Sequence, residues 1–242
     1  KKTANYLKLG NIAGIPTETV YGLAGNAYSK KAVQKIFHLK NRPKKNPLII
    51  HYNSITSLKK DVILNKTFLK LYKKYCPGPL TFVLKKNNKS KVVSLASAGL
   101  NTIAVRFPDH KIIKSLLKII NFPLAMPSAN LSSGLSPVSA SDVYEEFKRK
   151  LKIIIDGGNS RVGIESTVID LTKKPKILRP GVISSKEIKK YLRVSFSKKN
   201  KTIRSPGMMK KHYSPGIPII LGRNAKNLNH AQITFGKNNK NN

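Results

Sequence analysis

Apolar positions along this chain follow two rhythms in turn: short unbroken runs, and longer stretches with roughly 3.6-residue spacing. Ala4–Leu9 reads as a short helix feeding a strand at Ile12–Ile15. Ser29 is placed to cap a helix through Lys40, because its side-chain oxygen can accept from a free first-turn N–H. Ala32, Val33, Ile36 and Phe37 would share one face of that helix. Pro43 cannot extend it, and Pro47–Tyr52 reads as the next strand. Helical spacing returns at Thr67–Tyr75 and stops at Pro77-Gly78-Pro79. Strands at Leu80–Lys85 and Thr102–Phe107 follow, then a helix at Ile112–Ile120. A short strand at Leu124–Met126 runs into Pro127-Ser128-Ala129-Asn130. Ser141–Leu151 predicts a helix, and Ile153–Asp156 a strand ending in Gly157-Gly158. Ser166–Leu171 predicts another strand, Arg179 ends a short one, and Ser185–Leu192 predicts a last helix. This alternation predicts an α/β sandwich.

After residue 194 the pattern lapses. Residues 195–216 have the Lys, Ser, Pro and Gly content of a linker. Ile217–Leu221 could form one strand, and the remainder is polar, as disordered tails are. The expected organisation is one large domain over residues 1–194, the linker, and a short segment over 217–242.

Composition adds a strong charge. Among 242 residues, 47 basic against 10 acidic side chains give +37, a field that suits polyanions such as RNA, nucleotides or anionic membranes. Lysine and asparagine excess also arises from A/T-rich coding, so bulk charge alone does not identify a ligand. Arginine is the better guide, because its planar fork grips phosphate or carboxylate at two points. Arg42, Arg106 and Arg179 each stand in a motif-like block outside the lysine runs. One cysteine, Cys76, excludes a disulfide framework and suits a reducing, cytoplasmic setting. No Cys/His pair has the spacing of a zinc site. No apolar run approaches membrane-spanning length, and the start lacks a signal-peptide core.

Five clusters carry candidate chemistry. Thr17-Glu18-Thr19 with Tyr21 follows a strand, where α/β sheets place ligands; an ordinary hydrogen-bonded turn would look the same. Glu18 stands out because acids are scarce. Lys40-Asn41-Arg42, with Asn46 and His51 beyond, could converge on phosphates or could be helix-end charges. Alternation puts Thr102, Ala104 and Arg106 on one strand face, and a buried Arg106 would need an anion. Pro127-Ser128-Ala129-Asn130 offers short polar groups and backbone N–H donors for a phosphate, or is a Ser-rich loop. Asp156-Gly157-Gly158, Gly163–Val168 and Leu178–Gly181 combine permissive glycines with Ser166 and Arg179. There is no Walker A, dinucleotide fingerprint or nucleophile elbow.

Taken in order, PTETVYGL (16–23), KNRPKKNPLIIH (40–51), TIAVRFP (102–108), PSANLSSG (127–134), DGGNSRVGIESTVIDL (156–171) and LRPG (178–181) resemble the YrdC/Sua5 family of L-threonylcarbamoyladenylate synthases. SPGMMKKHYSP (205–215) resembles the linker of the Sua5-type members, with Met209-Lys210-Lys211 where Lys-Tyr-Arg is usual and with His212 and Tyr213 kept. The resemblance implies a three-layer α/β fold, a twisted mixed sheet flanked by helices around a basic cavity. It makes residues 217–242 a remnant of the Sua5-type C-terminal domain. It implies synthesis of threonylcarbamoyl-AMP and pyrophosphate from L-threonine, bicarbonate and ATP, with Mg2+ carried on the ATP phosphates. The product would serve t6A modification of tRNA through a downstream transferase complex. Matched residue by residue, Lys40, Arg42, Asn46, Thr102, Ser128, Asn130 and Arg179 fall at nucleotide positions. Thr19, His51, Arg106 and Ser166 fall at threonine positions. Lys40 and Arg42 would position the phosphates, and no covalent nucleophile is expected. A non-catalytic double-stranded RNA or tRNA-binding protein of the same fold is the alternative.

Overall fold

The computed structural model describes residues 1–196, with residues 203, 205–208 and 214 beyond them. In chain order the elements are α1 (Lys2–Lys8), β1 (Ile12–Ile15), β2 (Gly22–Asn26), α2 (Lys30–Leu39), β3 (Ile49–His51), α3 (Ile55–Leu58), α4 (Lys66–Tyr75) and β4 (Leu80–Lys85). Then come β5 (Thr102–Arg106), α5 (Lys111–Ile119), β6 (Leu124–Ala125), α6 (Ala140–Phe147), β7 (Thr167–Asp170), β8 (Lys176–Arg179), α7 (Ser185–Lys189) and β9 (Ser195–Phe196). The strands form one mixed sheet in the order β1-β2-β6-β3-β5-β4-β7-β8-β9. Pairing is parallel between β3 and β5, β4 and β7, and β8 and β9, and antiparallel elsewhere.

The period-2 rule sorts the strand side chains between two faces. On one face Leu23, Ile50, Phe82, Val105 and Ile169 pack against α2 (Val33, Ile36, Phe37) and α4 (Phe68, Leu71, Tyr75). On the other, Ala13, Ile15, Ala24 and Leu124 pack against α1 (Ala4, Leu7) and α5 (Ile113, Leu116, Leu117). These two helices cover only the β1-β2-β6 end. Over the central strands that second face keeps a small apolar floor of Ile49, Val83, Ala104 and Val168, and its other side chains are polar. The bare stretch is where the candidate site forms.

Ser29 caps α2 as expected, its Oγ accepting from Ala32 N at 3.2 Å. Several expectations need correction. β2 and α3 add elements that the apolar pattern hid. β2 reads GLAGN, with one large apolar residue, because its glycines sit where neighbours leave no room for a side chain. A Cβ on Gly22 would lie 2.7 Å from Met126 Sδ. The expected strand at Ile153–Asp156 shrinks to a single bridge between Ile154 and Gly14. The helix expected at Ser141–Leu151 is α6, started by a Ser139–Asp142 capping box and followed by a 3-10 turn at Lys148–Lys150. The expected strand Ile217–Leu221 and the His212-Tyr213 pair lie outside the described residues. Among the described residues no helix is long and apolar enough to cross a membrane.

Gly181 fixes the geometry of the far end. A Cβ there would lie 2.5 Å from Glu165 O and Thr167 N, and 2.6 Å from Ser166 C. Those atoms are backbone and cannot rotate away. Gly181→Ala should therefore destabilise the fold by about 3 kcal/mol, the upper range for overpacking. Urea denaturation checks this, and a loss under about 1 kcal/mol would show that the loop moves freely.

Candidate active site

The loops that leave the central strands surround a cavity of about 260 Å3. That is just under the usual small-molecule range of about 300–1,000 Å3, and Pro206 and Gly207 line it, close against Arg179. Among the described residues, the cations at its wall are Lys40, Arg42, Arg106 and Arg179, and the single lining carboxylate is Glu165.

Lys40 ends α2 and is only 1% exposed. Its Nζ donates to Ser128 O at 2.6 Å and to Asn130 O, and its carbonyl accepts from Ser132 N at 3.0 Å. Lys40 thus ties the end of α2 to the Pro127–Gly134 loop. Burial, with Arg42 second, lowers its pKa to about 7, while Glu165 acts in the opposite direction. Asn41 turns the chain with φ 47°, in the left-handed region that asparagine tolerates. Arg42 then folds back, donating from Nε to Asn46 O at 3.0 Å and from Nη2 to Pro47 O at 2.8 Å. Burial lowers its pKa to about 10, so it stays a guanidinium at neutral pH.

Arg106 ends β5 beside His51 at the end of β3, as the parallel register requires. Its Nη2 donates to Glu18 Oε1 at 2.7 Å, a pair with side chains 5% and 3% exposed. The expectation that a buried Arg106 needs an anion is met first by Glu18, its Nε donates to Gly78 O at 3.4 Å, and the side chain still lines the cavity. Thr17, Glu18 and Thr19 form the hydrogen-bonded turn that the plain reading allowed. Thr17 Oγ1 lies 2.9 Å from Thr19 Oγ1 and donates to Val20 O at 2.7 Å. The turn is stapled to the glycine block, with Val162 N donating to Glu18 O and Gly163 N to Thr19 O, both at 3.0 Å.

At the other wall, Ser166 Oγ lies 2.8 Å from Thr81 Oγ1. Arg179 donates from Nη2 to Ser166 O at 2.9 Å and from Nη1 to Glu165. A bulge re-aims Arg179. Val168 pairs with Arg179 and Ile169 with Ile177, so Leu178 is the extra residue and Arg179 turns to the cavity face.

The structure brings together Thr19, Lys40, Arg42, Asn46, His51, Arg106, Ser128, Asn130, Ser166 and Arg179. It does not bring Thr102. That residue starts β5, opposite Lys85 on β4, about 13 Å of strand away from Arg106. Sharing a strand face does not place two residues at one site. Glu165 and Thr81 did not stand out from the sequence as site residues. The scarcity of acids, which marked Glu18, would have marked Glu165 too.

Unpartnered atoms point to what the cavity lacks. Among the described residues, buried side-chain atoms without a hydrogen-bond partner are Glu18 Oε2, Asn46 Oδ1, His51 Nδ1, Asn130 Oδ1 and Ser132 Oγ. All but the first belong to residues that line this cavity. Such groups cost stability when left dry, and they fit a polar ligand. His51 is held neutral: burial first, then Arg106, lowers its pKa to about 3. The unfolded chain, with histidine near 6.5, therefore binds the proton first as pH falls. Stability is fully present above about pH 6.5 and is lost progressively toward the folded pKa of about 3. Between pH 7 and pH 5 the protein should lose about 2 kcal/mol more than His51→Gln. Denaturation curves at the two pH values check this, and parallel losses would refute it.

Comparison with known proteins places these features in context. A profile of the Sua5/YciO/YrdC family, described as telomere recombination, matches residues 5–181. A second, described as the C-terminal domain of threonylcarbamoyl-AMP synthase, matches residues 183–242. A threonylcarbamoyl-AMP synthase from Pyrococcus abyssi is 44% identical over 90% of this chain and 66% of its own length. One from Bacillus subtilis is 37% identical over 91% of this chain and 65% of its own. The chain thus spans about two thirds of these curated relatives. The crystal structure of P. abyssi Sua5 complexed with L-threonine superposes with a TM-score of 0.83 at 42% identity, covering 88% of this chain and 64% of that one. Escherichia coli YciO, at 23% identity and a TM-score of 0.69, shares the fold.

Proposed function

The chain belongs to the Sua5/YciO/YrdC family, and from that premise we propose that it is an ATP-dependent threonylcarbamoyl-AMP synthase, a nucleotidyltransferase. The observation that carries this reading is the set of buried atoms without a protein partner on Asn46, His51, Asn130 and Ser132 in a cavity walled by Lys40, Arg42, Arg106 and Arg179. Cations suit phosphates and a carboxylate, and neutral acceptors suit an amine, a hydroxyl or a base edge. A relative bound to L-threonine supports the amino-acid half.

In this reading Arg42, Asn46, Ser128, Asn130 and Arg179 hold ATP. Lys40 acts through its field and through the loop it anchors. Arg106 takes the threonine carboxylate, with Thr19, His51 and Ser166 around the rest of the amino acid. Thr102 has no part in the described cavity. Nearby cations disfavour an ammonium, so Arg106 lowers the pKa of the threonine amine. The neutral amine attacks the carbon of bicarbonate, a C–O bond breaks and water leaves with an amine proton to give a carbamate, whose oxygen then attacks the α-phosphorus as the bond to pyrophosphate breaks and pyrophosphate leaves. The protein's contribution is positioning and charge neutralisation. Neutral His51 can accept a hydrogen bond from threonine but is too weak a base to drive the chemistry. Mg2+ fits as a passenger on the phosphates, because among the described residues Glu165 is the single lining carboxylate and is already paired.

The organisation that goes with this reading is a catalytic domain over residues 1–194, a linker over 195–216 and C-terminal-domain sequence from 217. The product would pass to a tRNA t6A transferase complex in the cytoplasm, and direct tRNA contact is the open alternative use of the charge. The test is pyrophosphate release with ATP, omitting L-threonine or bicarbonate in turn. Release that requires both supports the synthase. RNA affinity without such release would support the non-catalytic reading.

A further inference from the structure

Among the described residues four cations face this cavity and one carboxylate answers them, which makes Glu165 the informative group. It is 9% exposed. Its carboxylate takes Arg179 Nη1 on Oε2 and accepts from Ser136 Oγ at 3.1 Å on Oε1. Its reach extends beyond that pair. Glu165 is the largest influence opposing burial at both Lys40 and Arg42. It is therefore the shared counter-charge of three cations that a triphosphate would meet. It cannot readily retreat. Its carbonyl lies against the backbone at Gly181, and its neighbour Ser166 is bonded to Thr81 and Arg179.

We propose that Glu165 is a built-in counter-anion that limits how tightly the cavity holds polyphosphate. In the empty cavity it occupies Arg179 and stands in for a phosphate oxygen. When polyphosphate enters, the carboxylate and the ligand compete for the same guanidinium and repel each other. The carboxylate thereby weakens the retention of pyrophosphate, the most densely charged species in the proposed reaction, and favours its departure. This inference rests on the reading that the cavity holds nucleotide phosphates, but its test requires no turnover.

Inorganic pyrophosphate is the probe, titrated by calorimetry into the wild-type chain and into Glu165→Gln, which keeps the shape and an acceptor while removing the charge. Glu165→Gln should bind pyrophosphate roughly tenfold tighter or more, with L-threonine affinity changed by less than about twofold, since Arg106 keeps Glu18. Glu165→Asp, which keeps the charge, should stay near wild type. Without ligand, Glu165→Gln should melt lower than wild type, because Arg179 loses its buried partner, and pyrophosphate should raise its melting temperature further. If the variant folds only when pyrophosphate is added, that rescue supports the proposal. Failure to fold even with millimolar pyrophosphate would overturn it. So would equal or weaker pyrophosphate binding by folded Glu165→Gln, which would make the residue a positioning group for Arg179. Failure of the wild type to release pyrophosphate from ATP would instead count against the synthase reading and leave the titration to decide this one.

Discussion

Arg106→Met should raise the KM for L-threonine at least roughly a hundredfold and destabilise the fold by about 3–5 kcal/mol. Two separate effects meet in this one substitution. The ligand loses the cation suited to its carboxylate. The protein loses the partner of Glu18, whose side chain is 3% exposed and whose Oε2 already lacks a hydrogen bond. A buried carboxylate left alone is costly, whereas removing both charges of a pair is often close to neutral. The combined variant Arg106→Met with Glu18→Gln should therefore recover most of the stability and none of the threonine affinity. Urea denaturation and threonine titration on the single and double variants separate the effects. Recovery of threonine binding in the double variant would show that Arg106 serves only the fold.

Lys40→Met should lower threonine-dependent turnover by roughly a hundredfold or more and cost about 3 kcal/mol of stability. The ammonium holds the carbonyls of Ser128 and Asn130, and its removal leaves both without their charged donor. The loop then loses its tie to α2, and the phosphate-facing field loses positive charge. Arginine is a poor replacement, since the side chain is 1% exposed and a guanidinium is larger than the space an ammonium fills. Lys40→Arg should therefore stay well below wild type. Turnover near wild type in Lys40→Arg would mean that charge alone matters and that the loop anchor does not.

The fold was legible where apolar residues are large. β1, β4, β5 and β7 are built from Ile, Leu, Val and Phe, and their runs announce them. β2 was hidden because close packing at Gly22 leaves no side chain to read. Ile153–Asp156 read as a strand from composition, yet only Ile154 finds a partner in β1. At the site, residues fixed by short local segments were readable: Lys40, Arg42 and His51 around one helix–loop–strand unit, and Ser128 and Asn130 after β6. What depends on distant backbone was not. The Arg179 bulge depends on the register of β7 against β8, and the Arg106–Glu18 and Arg179–Glu165 pairs bring together residues that face separation hides in a linear text. Thr102 shows the converse. Alternation gives the face of a residue but not its distance along the strand.

The proposed synthase joins threonine, bicarbonate and ATP in one cavity. Mass identification of the nucleotide product formed by the wild-type chain with these three substrates tests it most directly. The expected product is an adenylate carrying a threonylcarbamoyl group, formed one-for-one with pyrophosphate and absent when threonine is omitted. AMP or ADP formed at the same rate without threonine, or no nucleotide product at all, would contradict it.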